Sequence, residues 1–190
     1  AVALTSDGGY MINGSSSSND GDVSGAFGLE DFWVVKLDEL GNIQWQRPCG
    51  GSDLDLGSTI TELSDGSFMA GGLTYSQNGD VGAPLGSADV WSIRLSALGQ
   101  PVDERTYGGS DTDSGTDMIT ASDGALVYTG TSSSSDGDLT SNQGGTDAWL
   151  FRIDNTGDIE WSTTLGGSAS DAFLAFKATD DLGYIAVGQS

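Results

Sequence analysis

Nine oxygen-bearing side chains recur in a pattern that could hold a divalent cation. Asp20-Gly21-Asp22, Asn78-Gly79-Asp80 and Asp136-Gly137-Asp138 are followed, nine residues after the second acid, by Asp31, Asp89 and Asp147. Calcium takes six to eight oxygen ligands, and acids flanking a glycine supply several at short spacing. Asp20, Asp22, Asp31, Asn78, Asp80, Asp89, Asp136, Asp138 and Asp147 are therefore the candidate metal ligands, with Ca2+ as the candidate cofactor. A bound ion would offset the mutual repulsion of the carboxylates and order a loop too polar to order itself. A second reading uses the same residues: Asp-Gly is turn chemistry, and Asp31 and its copies cap the strand that follows. No copy completes the D-x-[DN]-x-[DN]-G calcium loop with a glutamate at its twelfth position.

Other acids could serve catalysis only under conditions the pattern does not meet. Asp53-Leu54-Asp55 and Asp111-Thr112-Asp113 follow Gly-Gly pairs, while Asp171 keeps the second acid alone, with Ala169 at the first position. A glycosidase needs two carboxyl groups facing each other across a sugar, and it needs them once. Acids repeated in register read instead as solvated turns. The chain has no histidine, which removes the commonest general base and every Ser-His or Cys-His nucleophile pair. Arg47, Arg94, Arg105 and Arg152 occupy equivalent positions of a repeat rather than converging. The expectation is a non-catalytic protein.

Asn13-Gly14-Ser15 makes Asn13 a glycosylation candidate, although the sequon recurs in no other copy. The runs Ser15 to Ser18 and Ser132 to Ser135 read as flexible linker or as O-glycan sites on an extracellular array. Cys49 stands where other copies carry Tyr107 and Leu165, and so reads as a small core hydrophobe. With 28 acids against 6 bases the net charge is −22. Such a surface repels nucleic acid and anionic membrane alike. No apolar run approaches the roughly 20 residues of a membrane-spanning helix, so no membrane insertion is expected. Ala1 to Leu4 reads as strand rather than as part of a signal peptide.

The elements that position these residues are set by a repeat. Asp7-Gly8, Asp65-Gly66 and Asp123-Gly124 are spaced by 58 residues, as are Trp33, Trp91 and Trp149 and the pairs Gly50-Gly51, Gly108-Gly109 and Gly166-Gly167. The copies are 1–58, 59–116 and 117–174, with 175–190 beginning a fourth. The pattern starts and stops mid-copy, which predicts a segment of something longer or a unit whose ends complete a neighbour.

Each copy is read as all β. Trp33, Val35 and Leu37 alternate with Phe32, Val34 and Lys36, and Trp91/Ile93/Leu95 and Trp149/Phe151/Ile153 repeat the set. Period two with a basic residue on the other face predicts a strand with its Trp face the more buried. Tyr10 to Ile12, Ile43 to Trp45 and a run through Ile60, with their copies, supply three more strands. Four short strands per copy form the blade of a β-propeller. The expected fold is all-β: tandem four-stranded antiparallel blades, β-propeller-like, either a closed ring with further repeats or an open stacked array. A β-solenoid is the rival architecture.

Asp38-Glu39-Leu40-Gly41-Asn42-Ile43-Gln44-Trp45 and Asp154-Asn155-Thr156-Gly157-Asp158-Ile159-Glu160-Trp161 resemble the D-x-x-G-x-x-x-W hairpin of quinoprotein-like propeller repeats. The second copy departs from it, with Ser96 and Asp103 at the Asp and Trp positions. Thr5-Ser6-Asp7-Gly8-Gly9-Tyr10 is similar to the Asp-box hairpin of sialidase propellers, an outer turn without chemistry. The whole copy resembles the 58-residue-class repeats of long secreted and surface proteins of bacteria. That resemblance implies an extracellular or cell-surface, non-catalytic array. The expected function is a structural or adhesive scaffold or filament with calcium as a stabiliser, and the expected partner is itself. The alternative is a closed propeller that binds a glycan or peptide. For that reading, the loops Ala26–Leu29, Pro84–Ser87 and Asn142–Gly145 vary more than the strands.

Overall fold

A computed structural model describes all 190 residues. The chain forms fourteen strands and no helix. β1 (Val2–Leu4), β2 (Tyr10–Ser16), β3 (Asp31–Leu37) and β4 (Ile43–Cys49) make the first sheet. β5 (Asp55–Glu62), β6 (Phe68–Thr74), β7 (Asp89–Leu95) and β8 (Pro101–Tyr107) make the second. β9 (Asp113–Thr120), β10 (Leu126–Ser132), β11 (Asp147–Ile153) and β12 (Ile159–Leu165) make the third, and β13 (Ala172–Ala178) and β14 (Tyr184–Gln189) form a hairpin. Every sheet runs in chain order, the antiparallel meander of a propeller blade. The 58-residue windows are offset from these sheets: the boundary at 58 and 59 falls inside β5.

The short β1–β2, β5–β6 and β9–β10 turns follow from glycine. Gly8, Gly66 and Gly124 have φ of 86°, 79° and 91°, where a side chain would strain the backbone. The fourth hairpin puts Leu182 at the same place with φ 67°. A register shift recurs in the first strand of a blade, between Gly57 and Thr59, opposite Gly130 and Thr129, and between Phe173 and Ala175. These bulges follow the 58-residue period, and no residue type announces them.

The chain divides into two compact units, Ala1–Pro84 with Trp91–Thr106, and Leu85–Val90 with Tyr107–Ser190. In the first unit Phe32, Val34 and Met11 pack against Ile60, Phe68, Ala70, Trp91, Ile93 and Leu95. Phe32 and Trp91 meet with ring centroids 4.7 Å apart. Each such side chain contributes about 2–3 kcal/mol of burial. The expectation that the Trp face is the more buried is corrected. β3 buries Phe32 and Val34 fully while Trp33 is only partly buried, and β7 is buried on both faces. A strand buried on both faces has no solvent face to give away.

The second unit is held by aromatics. Tyr128 stacks on Phe151 at 4.9 Å and Trp149 on Phe151 at 4.2 Å. Trp161 and Phe176 both approach Tyr184, at 6.1 and 6.3 Å.

Candidate functional site

Two kinds of acidic site repeat along the chain. The first is at the hairpin turn. Asp7 Oδ1 accepts bonds from Thr5 Oγ1 and from the Gly9 amide, fixing the turn. Register places Lys36 beside it, since Tyr10 pairs with Leu37 and Met11 with Lys36. The buried Lys36 ammonium donates to both Asp7 oxygens, at 3.0 and 2.9 Å. Arg94 pairs with Asp65, and Arg152 with Asp123, in the same arrangement. These carboxyls are held below the ordinary range. The hydroxyl bond from Thr5 is the main cause at Asp7, bonds from Ser67 at Asp65, and the Arg152 guanidinium at Asp123. The sequence carried this pair as a basic residue and an Asp-Gly turn 29 positions apart, a spacing constant in all three copies.

The second kind lies beside the Gly-Gly pairs, where three stretches converge. The loop before β3 ends at Asp31, whose Oδ2 accepts from the Phe27 amide. The Asp55 amide donates to Glu30 O at 2.6 Å, which sets Asp55 beside Asp31. Asp55 Oδ2 then accepts from Gly51 N (2.8 Å) and Ser76 Oγ (2.8 Å), while Oδ1 accepts from Thr74 Oγ1. The third stretch is the next copy's loop: Asp80 N donates to Gly50 O at 2.9 Å.

The second copy repeats this construction. Asp89 Oδ2 accepts from the Leu85 and Gly86 amides, and Asp113 N donates to Ala88 O. Asp113 accepts from Gly109 N, Ser134 Oγ and Ser132 Oγ. Asp138 N donates to Gly108 O, and Gly108 N donates to Asp138 Oδ2 at 3.0 Å. In the third copy Gln143 N reaches Asp147 and Gly167 N reaches Asp171.

Burial raises the Asp55, Asp89 and Asp138 carboxyls above their ordinary range. Neighbouring acids add to it: Asp31 acts on Asp55, and Asp113 and Asp138 act on Asp89.

The nine predicted ligands thus separate. Asp31, Asp89 and Asp147 are buried. Asp80 and Asp138 reach the glycine turn at the end of the preceding copy, so the grouping of each with the aspartate nine residues later is replaced by one shifted back a copy. Asp20 and Asp22 are exposed. Asn78 and Asp136 are spent on other turns, accepting from Ser52 N and Ser110 N.

Three further readings are corrected. Asp55, Asp113 and Asp171 are not solvated turn acids; they are 0%, 0% and 9% exposed, because each anchors a Gly-Gly turn from inside. The Ser132 to Ser135 run is not linker, since Ser132 and Ser134 are buried donors to Asp113. Asn13 does not present a glycan acceptor: it is fully buried, with Nδ2 donating to Thr59 O and Gly71 O. The hydroxyl pairs Thr74/Ser76 and Ser132/Ser134, 58 residues apart, were the available signal for the buried acids. Cys49 is a core residue as read, its thiol pushed up to about 12 chiefly by burial.

No protein-family model and no curated protein matches the chain. Among solved structures it is similar to the crystal structure of a protein of unknown function from Bacteroides caccae, at 10% identity and a TM-score of 0.53. The match covers 96% of this chain and 50% of the other, so the chain spans half the length of that structure. At this identity the likeness concerns the fold alone.

Proposed function

We propose that the chain is a section of a non-catalytic structural or adhesive protein, extracellular or on a cell surface, in which blades are the product rather than the frame for one site. The observation that carries this is repetition of the chemistry. The same Asp–cation pair and the same Asp–Gly–hydroxyl cluster are rebuilt in successive blades, whereas an active site is needed once. The placement outside the cell rests on the resemblance to repeats of bacterial secreted proteins.

Two features support assembly with further blades, in the same chain or in a second copy. The β13–β14 hairpin leaves Leu174, Ile185 and Val187 exposed, and β1 leaves Val2 and Leu4 exposed. In the first unit, blade packing covers apolar faces of this kind. The tryptophans that could have formed a sugar platform are engaged. Trp45 donates from Nε1 to Ala97 O and lies 6.0 Å from Phe68, and Trp161 packs on Tyr184.

Electron microscopy of the full native protein in millimolar calcium tests this reading. Elongated arrays with a repeating rise are the expected result. Discrete discs would replace the array with a closed propeller, for which a glycan-binding screen is the next experiment. Turnover of any glycan by the chain would overturn the non-catalytic reading.

A further inference from the structure

The glycine after each blade's last strand marks a place where carboxylates crowd. A Cβ added to Gly50 would lie 2.5 Å from Asp31 Oδ1 and 2.4 Å from Asp55 Oδ2. On Gly108 it would meet Asp89 Oδ1 at 2.8 Å and Asp113 Oδ2 at 2.6 Å, and on Gly166, Asp147 Oδ1 at 2.2 Å and Asp171 Oδ2 at 2.8 Å. The two oxygens of each pair are therefore at most about 5.5 Å apart, comparable with the span of two ligands on one calcium ion at about 2.3–2.6 Å each.

One oxygen of each pair lacks a partner. Asp31, Asp89 and Asp147 are 1%, 1% and 0% exposed, and in all three it is Oδ1 that accepts no hydrogen bond. A buried carboxylate oxygen with nothing bound to it is expensive. Repetition at one atom in three copies points to a partner that is not a protein group. The third acid of the first cluster behaves alike, since Asp80 Oδ2 is buried without a partner. Arg47 Nη2 lies 3.6 Å from Asp80 Oδ1. Three carboxylates and one guanidinium leave two negative charges, the complement of one divalent ion.

We propose that the clusters around Gly50 and Gly108 are divalent-cation sites, calcium by their all-oxygen donor set. Asp31 and Asp89 supply the open Oδ1 ligand, Asp80 and Asp138 supply a second carboxylate, and Asp55 and Asp113 supply a third whose hydrogen bonds orient it. No group of three acids in the structure already stands within reach of one ion, so the carboxylates must close together when the ion binds. An ion at Gly50 joins the end of a loop in the first copy to a loop in the second, and so clamps one blade to the next. Beside Gly166 the pair is Asp147 and Asp171, and the proposal concerns the two clusters that also carry a third acid. The proposal rests on the cluster geometry and not on the scaffold reading, and its failure would leave that reading in place.

Calorimetric titration of the chelator-stripped chain with calcium chloride, paired with thermal unfolding, tests it. The expected result is two sites per chain and a Tm rise of about 5–10 °C for each at a hundredfold excess over Kd. The Asp31→Asn/Asp89→Asn double variant is expected to weaken binding at least tenfold and abolish the Tm rise. Asp20→Asn/Asp22→Asn is expected to leave both unchanged. Should the double variant not fold, Asp80→Asn/Asp138→Asn carries the same prediction. No heat and no Tm rise in millimolar calcium would overturn the proposal, as would an undiminished response in the folded variants. A rise in Tm on mild acidification that calcium does not alter would assign the clusters to shared protons instead.

Discussion

The turn aspartates and the aspartates around the Gly-Gly pairs recur with one period, yet they sit in opposite electrostatic states. Asp7, Asp65 and Asp123 are exposed and face Lys36, Arg94 and Arg152, and their carboxyls are held low. Asp55 and Asp89 are buried against other acids and are pushed up, as is the half-buried Asp138. A repeat makes copies equivalent to one another, but the partner that each position meets decides whether its charge supports the fold or strains it. The turn pairs are complete without help. The buried clusters are short of positive charge.

The largest effect expected from breaking this contrast is at Asp113. Asp113→Ala leaves the Gly109 amide and two buried serine hydroxyls without their acceptor, at a cost of about 3–5 kcal/mol in urea unfolding. Asp65→Ala removes an acid of the same type from an exposed pair, and is expected to cost less than about 1 kcal/mol. Equal losses would erase the distinction between the two classes.

Gly108→Ala comes next. Its Cβ would collide with Asp113 and Asp89 oxygens, and about 1–3 kcal/mol of strain is expected, together with loss of one of the two calcium sites. Gly14→Ala is the control, because nothing lies within 4 Å of a Cβ there.

The pH dependence separates the classes further. The lowered turn acids contribute stability above their unfolded value of 3.8 that is lost as pH falls through their folded values. The raised cluster acids have the opposite sign: ionised at neutral pH they oppose folding, and protonation on the way down towards 3.8 relieves it. Calcium requires them ionised. The difference in unfolding free energy with and without calcium should therefore shrink steadily from pH 7 to pH 4, as followed by denaturant titration at each pH. A difference that stays constant across that range would contradict the assignment.

A modest effect of opposite sign is expected at the fourth hairpin. Leu182→Gly restores the residue that the other copies use at positive φ, and a gain of about 1 kcal/mol is expected.

Much of the fold was legible because its signals are local and repeated. The alternation in Trp33 to Leu37 and its copies gave the blade strand, and Asp7-Gly8 and its copies gave the turns. What that pattern could not give was how many faces are covered. Period two describes one strand and says nothing about a second sheet against Phe32 and Val34. The grouping of acids at the Gly-Gly turns is half legible. Asp31, Asp80, Asp89 and Asp138 stand out in the sequence as candidate ligands, whereas Asp55 and Asp113 read as surface turns. Their burial depends on a backbone bond to Glu30 or Ala88 of the preceding blade, a contact between sheets that the alternation along one strand does not reveal. Asn13 misled for a similar reason, since a sequon records nothing of the carbonyls of Thr59 and Gly71 that consume its amide.

The most direct test is long-wavelength anomalous diffraction from crystals of the chain grown in calcium. Two peaks are predicted, beside Gly50 and Gly108, about 2.3–2.6 Å from Asp31 Oδ1 and Asp89 Oδ1. Water at both positions, or a carboxyl–carboxyl hydrogen bond in place of an ion, would contradict it.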